Sequence, residues 1–548
     1  MSRFFKLTVL FASLVLLFLS WGCKTETEIE TYNNPVIPGF HPDPSVCRVG
    51  EDYYLVNSSF EWFPGIPIYH SKDLVNWKPI GHVLTRPSQL KMVDNKFSSG
   101  VWAPTIRYHE GTFYVTATCM RCGRNFYVSS DKPEGPYSDP IYIDAPNGID
   151  PSFYFDEEGR AWFSANRKPK EREWEGHTVI YVQEIDIKTG ELLGERYDLT
   201  TGFDEKARAT EGPHIYKVDN HYYMVCAEGG TWEDHAISLF RSEKITGPYE
   251  PVHNNLVLTH RHLKDNPVTS TGHADLVQTQ NGEWWAVLLG VRPLEDRNHW
   301  SLGRETFLVP VEFKDSTFVF APEHQQVMLE DKRPNLPWTP VEINHSDDFS
   351  SNTLDFKWNF LRTPLTKWHS LSNTPGWLEI NLRPETVKTF CNPSFIARRF
   401  QHHQFTALTK LKFEPKADNE TAGLVAMQNH HCHYRLVLSK TSEQQFVKLY
   451  KVYNKSRKIQ TEQVIDSVAY AGNEVVFGMK VSGMDVMFSY GKNKESLQDI
   501  GGVNSVLPFS SRAAGGFIGA YVGMYASSNG EESDNKALFD WFEYIPNE

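Results

Sequence analysis

The chain has 548 residues, with 55 Lys and Arg against 68 Asp and Glu, giving a formal net charge of -13 at pH 7. That balance argues against nucleic acid or an anionic polymer as partner and is compatible with a neutral, hydroxyl-rich ligand. Seven cysteines in a chain of this length do not form a disulfide scaffold, and the length itself supplies ample core.

In chain order, Arg3 and Lys6 precede an apolar run from Leu7 to Leu19, short for a mature bilayer span and shaped like a secretory signal. The run closes on Ser20-Trp21-Gly22-Cys23, which resembles a bacterial lipoprotein cleavage site, although Trp21 stands where a small residue is usual. Residues 1–23 are therefore expected to be a lipoprotein signal peptide with Cys23 as the lipidated residue. Residues 24–33, opening KTETEIET, are expected to be a solvated acidic tether. This points to an exported lipoprotein of a Gram-negative bacterium, periplasmic or at the cell surface, held to the outer membrane through lipid alone.

Residues 34–329 carry a recurring hairpin unit. Asp43 leads DPSVCRVGEDYYLV, Ala103 leads APTIRYHEGTFYV, Asp150 leads DPSFYFDEEGRAWF, Glu211 leads EGPHIYKVDNHYYMV, and His273 lies in GHADLVQTQNGEWWAV. A lone four-stranded blade cannot bury its own faces, so the repeat predicts an all-β, five-bladed propeller with the leads converging on the axis. Cys119 and Cys122 in the second unit are close enough to bridge locally or to pack as thiols; a lone C-x-x-C is weak evidence for zinc. The Pro-rich stretch 330–346 reads as a linker. Residues 347–548 change to longer alternating runs such as HYRLVLSK and GFIGAYVGMYAS, expected in a β-sandwich of concanavalin or lectin-like jelly-roll type. The histidines of His430-His431-Cys432-His433 read as structural, because only His431 and His433 would share a strand face.

A ring of Asp, Asp, Glu and His around a small cavity suits glycoside hydrolysis, which needs an acid for the leaving oxygen and a second carboxylate acting at the anomeric carbon. Glu211 has the reach for the acid, and neighbouring carboxylates would raise its pKa. Asp43 suits the base, and Asp150 would orient and tune the acid. His273 would supply a hydrogen bond, or a ligand to a water or small cation on the axis. Arg304 would bind sugar hydroxyls through its donor fork. Trp102 would form a wall, and Trp62 and Phe63 either a substrate platform or the cover of a blade edge.

The segments NPVIPGFHPDPSVCRVGEDYYLVNSSFEWFPGIPIYHSKDLVNW, VWAPTIRYH, GIDPSFYFD, TEGPHIYK, GHADLVQTQNGEWW and LGRETFLVPV occur in the order of a known pattern. The chain thus resembles family 43 glycoside hydrolases of the β-xylosidase and α-L-arabinofuranosidase type. DDFSSNTLDFKWNFLRTP and the ending FDWFEY resemble that family's C-terminal β-sandwich. The resemblance implies inversion, with Asp43 as general base, Asp150 as pKa modulator and Glu211 as general acid. It implies a water- or cation-associated His273, a substrate-binding Arg304, and no organic cofactor; calcium is the one metal to expect, structural or on the axis. The implied substrate is a plant cell-wall oligosaccharide releasing xylose or arabinose by exo action. A sandwich loop closing the pocket would be VLPFSSRAAGG, with Phe509. The insert Cys-Met-Arg-Cys departs from the pattern. Two alternatives stay open: a non-catalytic carbohydrate-binding surface lipoprotein, and a family 43 enzyme for a different sugar. A uronic-acid lyase would want a more basic pocket than Arg304 and Arg292 provide.

Overall fold

The computed structural model describes residues 30–453 and 462–547; the apolar run Leu7 to Leu19 and Cys23 lie outside the described residues. Five antiparallel sheets follow one another along the chain, each built from consecutive strands except that the first skips Trp62–Phe63. Their first strands are Ser45–Val49, Gly100–His109, Ser152–Phe155, Glu211–Val218 and Thr269–Gln278. These strands touch in cyclic order, the fifth returning to the first, so the sheets are the blades of a five-bladed propeller. Turn chemistry sets the first hairpin of the second and fourth blades. Between His109 and Thr112 both turn residues, Glu110 and Gly111, are left-handed (φ 47° and 85°), as are Asp219 and Asn220 between Val218 and His221 (φ 47° and 64°). Two-residue turns of this hand match the twist of the strands they join.

Asp275 ties the blades together on the axis. It is fully buried and accepts from Ser45 Oγ (2.6 Å) and Val46 N (3.0 Å) of the first blade, both terminal nitrogens of Arg107 in the second (2.8 and 3.1 Å), and Tyr216 Oη in the fourth (2.5 Å). Burial alone would raise its pKa, but Arg107 and these donors outweigh it and hold the carboxyl well below the usual range.

The second domain is a β-sandwich. One seven-stranded sheet runs from His369–Ser370 to Gln498–Ser505, and an eight-stranded sheet starts at Glu462–Ala469. The last strand of the eight is Trp62–Phe63, contributed by the propeller, which pairs with Asn359–Leu361. The apolar core is accordingly continuous from the first two blades into the sandwich. Two expected connectors also carry structure. Thr31–Asn33, within the expected tether, pairs antiparallel with Glu330–Lys332, the start of the expected linker, and Tyr32 is buried there. His430 and His431 form the turn before Cys432–Thr441, so His431 does not share a strand face with His433.

Candidate active site

The unit leads stand just before or within the first half of each blade's inner strand, and four of them share an unusual backbone conformation. Asp43, Ala103, Asp150 and His273 have φ of 53°, 38°, 58° and 52°, a left-handed region that non-glycine residues rarely occupy. In the fourth blade the left-handed residue is Gly212 (φ 59°), not Glu211. Gly212 is thus the true equivalent of Asp43, and the acid sits one residue upstream of the lead position that the repeat predicts. The ladder breaks register here, between Glu211 and His214, as it does around Ala103 and His273. Glycine is required there for a second reason: a Cβ would stand 2.8 Å from His273 Nε2. Left-handed non-glycine residues in such a ring cost energy that the surrounding structure must offset, and they concentrate at functional sites.

These residues open into a cavity of about 260 Å³. Asp43, Asp150, Glu211, Trp102, His273 and Arg304 all line it. Asp43 is fixed from two sides, accepting from Ser58 Oγ at 2.6 Å and from Arg304 Nη1 at 2.7 Å. Ser58 also accepts the N–H of Ala103 at 2.6 Å, which joins the first two leads. His273 Nδ1 lies 3.7 Å from Asp43 Oδ1; burial pushes its imidazole below the ordinary value, against the pull of Asp43. Asp150 donates its backbone N–H to Thr118 Oγ1 at 3.2 Å. Burial raises the Asp150 pKa well above the carboxylate range, reinforced by Glu211 and Asp43 and opposed by Arg304. The Glu211 pKa is raised to about 7, by burial first and then by Asp43, with Arg304 again opposing. Two acids in one dry cavity cannot both ionise cheaply, so near neutral pH the site retains a proton. An acceptor held by two donors thus shares a small cavity with a carboxyl that keeps a proton to give.

The sequence profile of glycosyl hydrolases family 43 matches residues 32–318, and that of the beta-xylosidase C-terminal concanavalin A-like domain matches residues 346–545. The chain belongs to glycosyl hydrolase family 43. A non-reducing end alpha-L-arabinofuranosidase of Bacteroides ovatus is 37% identical over 542 residues, covering 97% of this chain and 98% of that protein. A xylosidase/arabinosidase of Butyrivibrio fibrisolvens is 37% identical over 518 residues, covering 93% and 98%. A solved xylan beta-1,4-xylosidase from Bacillus halodurans superposes with a TM-score of 0.88 at 33% identity, covering 94% of this chain and all (100%) of that one.

Two expectations about the walls of this family 43 glycosidase need correction. Trp62 and Phe63 are not in the cavity. Both are buried, and Trp62 stacks on Tyr521 of the sandwich with ring centroids 3.6 Å apart. Their segment turns away to become an edge strand of the other domain, and the ring that faces the cavity is Phe60, from the same SSFEWFPGIP run. Phe60 lies 5.7 Å from Trp102 and under the Arg304 guanidinium at 5.5 Å. Phe509 is likewise buried, packed in the sandwich core against Phe400 and Tyr434. The sandwich side of the pocket is instead Phe517, 5.9 Å from Trp102 and 6.5 Å from Trp232. Arg512 of that loop pairs with Glu233 beside Trp232, so the loop is tied to the fourth blade. Arg292 is outside the cavity lining and is held by both oxygens of Glu305 (2.8 and 2.9 Å).

Sequence reasoning missed His235, Trp232, Arg208 and Phe517, none of which heads a repeat unit. His235 is fully buried, and its imidazole is pushed down to about 3 by that burial, so it is neutral at working pH. Calcium takes six to eight oxygen ligands, whereas among the described residues no group of three or more His, Cys, Asp or Glu side chains converges to hold a metal. Asp43, the carboxylate beside His273, is already bound by Arg304.

Proposed function

We propose that this enzyme removes terminal pentose residues, xylose or arabinose, from plant hemicellulose oligosaccharides with inversion at the anomeric carbon. The observation that carries the reading is the convergence of Asp43, Asp150 and Glu211 on one cavity in which Glu211 retains its proton to about pH 7. In this mechanism Asp43 draws a proton from a water on one face of the sugar while Glu211 protonates the leaving oxygen on the other. Burial and Asp43 keep Glu211 protonated, Asp150 orients it and titrates as its linked partner, and Arg304 positions Asp43 and binds sugar hydroxyls. The cavity lies below the roughly 300 Å³ at which ordinary ligand pockets begin, which favours one small ring over a chain threaded through. Its closure by Phe517 supports exo action, and the activities of the similar xylosidases and arabinofuranosidases support a pentose. The chemistry calls for no organic cofactor.

Purified protein should release single xylose or arabinose units from aryl pentosides and from linear and branched xylan and arabinan oligomers. Proton NMR at early times should show the opposite anomer to that of the substrate. A retained anomer, or mid-chain cleavage as the main event, would reject the mechanism or the exo reading respectively.

In the same reading the enzyme is an exported lipoprotein attached through Cys23, as the Leu7 to Cys23 segment implies. Cys23→Ser is expected to abolish palmitate labelling and release the protein from the membrane fraction. Unchanged attachment would exclude a lipid anchor at this residue.

A further inference from the structure

The Cys-Met-Arg-Cys insert closes the hairpin between strands Thr112–Met120 and Arg124–Ser130 of the second blade. Cys119 and Cys122 are joined by a disulfide, with Cα atoms 5.2 Å apart, inside the usual range. Loop-closure entropy rewards long loops and gives little for one this short, so global stability is a weak reason for the bridge. Its surroundings supply a better one. Cys119 faces Arg124 across the hairpin, and the preceding Thr118 faces Asn125 on one side and Trp102 of the cavity wall on the other. The Thr118 hydroxyl is buried, donates to Asn125 Oδ1 at 2.7 Å and accepts the N–H of Asp150 at 3.2 Å. Asp150 is one of the left-handed leads, and the preceding Ile149 is held by Asn166, its N–H donating to Asn166 Oδ1 at 2.8 Å and its carbonyl accepting from Asn166 N at 3.3 Å. Two non-glycine residues in and just after the turn, Arg121 and Arg124, are left-handed (φ 73° and 64°), a costly backbone that a covalent closure holds in place.

We propose that the Cys119–Cys122 bridge is a positioning element for the active site: through the Thr118 hydroxyl it holds the backbone of Asp150, and with it the carboxyl that shares the cavity with Glu211. This rests on the roles proposed above for those two acids. Reduction then loosens the site. A water-soluble phosphine breaks the S–S bond, each sulfur gains a hydrogen from water, and the phosphine leaves as its oxide.

The test compares Thr118→Val, which keeps the bridge, with the Cys119→Ser/Cys122→Ser double variant, which keeps Thr118. The readout is the pH profile of kcat/KM on xylobiose or arabinobiose, whichever the wild type cleaves. Both variants should lose about tenfold or more and should displace the basic limb by about half a unit, because Asp150 and Glu211 share one cavity and titrate as a linked pair. Phosphine-treated wild type should reproduce the double variant, and iodoacetamide should label Cys119 and Cys122 only after that treatment. If the double variant fails to fold, the phosphine-treated enzyme and Thr118→Val carry the test. Direct labelling of both cysteines in untreated protein, or an unchanged pH profile in Thr118→Val and in reduced enzyme, would overturn the proposal. The leaving-group behaviour of Glu211→Ala, measured with the bridge intact, separates this failure from failure of the acid assignment itself.

Discussion

Glu211→Ala is expected to lose about 10²–10⁴-fold in turnover on a natural oligosaccharide and to lose little on a dinitrophenyl glycoside. A sugar alcohol leaves only if its oxygen is protonated in the transition state, whereas dinitrophenolate departs as a stable anion. The same residue sets the sign of the pH response. An acid works only while protonated, and the Glu211 pKa is raised to about 7, chiefly by burial and then by the charge of Asp43. For wild type on an oligosaccharide, kcat/KM should therefore be sustained below about 7 and fall as pH rises through it. In Glu211→Ala, assayed on the dinitrophenyl substrate, that basic limb should disappear. An equal loss across all leaving groups, or a retained limb, would remove Glu211 from the acid role.

Asp43→Ala should abolish activity to a similar extent, about 10²–10⁴-fold, with no dependence on leaving group. Activation of water is needed whatever departs, so dinitrophenyl substrates should offer no rescue. The substitution also strips Arg304 of its 2.7 Å partner in a buried site. Leaving one half of a buried pair costs about 3–5 kcal/mol, so a melting curve must accompany the kinetics. Asp43→Asn keeps the side chain's size and an oxygen for Arg304 while removing the basic group. It should be as inactive as the alanine variant but closer to wild type in stability. Activity within a few-fold of wild type in a folded Asp43→Asn would exclude the residue as the base.

How the two roles divide between sequence and structure follows from what is local. Recurrent strand, turn and restart, with acids heading the units, is enough to predict a closed ring of blades, because each hairpin's alternation determines which side chains share a face. Asp43, Asp150 and His273 were legible for that reason. Glu211 was legible as an acid but not in its register. Only the folded backbone shows Gly212 taking the left-handed position, where a Cβ would collide with His273. Trp62 and Phe60 lie two residues apart in one short run, yet one stacks on Tyr521 and the other faces the cavity. That choice depends on a strand contributed to another domain's sheet, a pairing across some 300 residues of sequence. The same holds for Phe517, brought beside Trp102 by domain docking, and for Asp275, whose partners come from three other blades. Periodicity and turn residues act over a few neighbours and are written in the sequence. The walls and the hub are made by contacts between distant segments, and those exist only once the propeller has closed and the sandwich has packed against it.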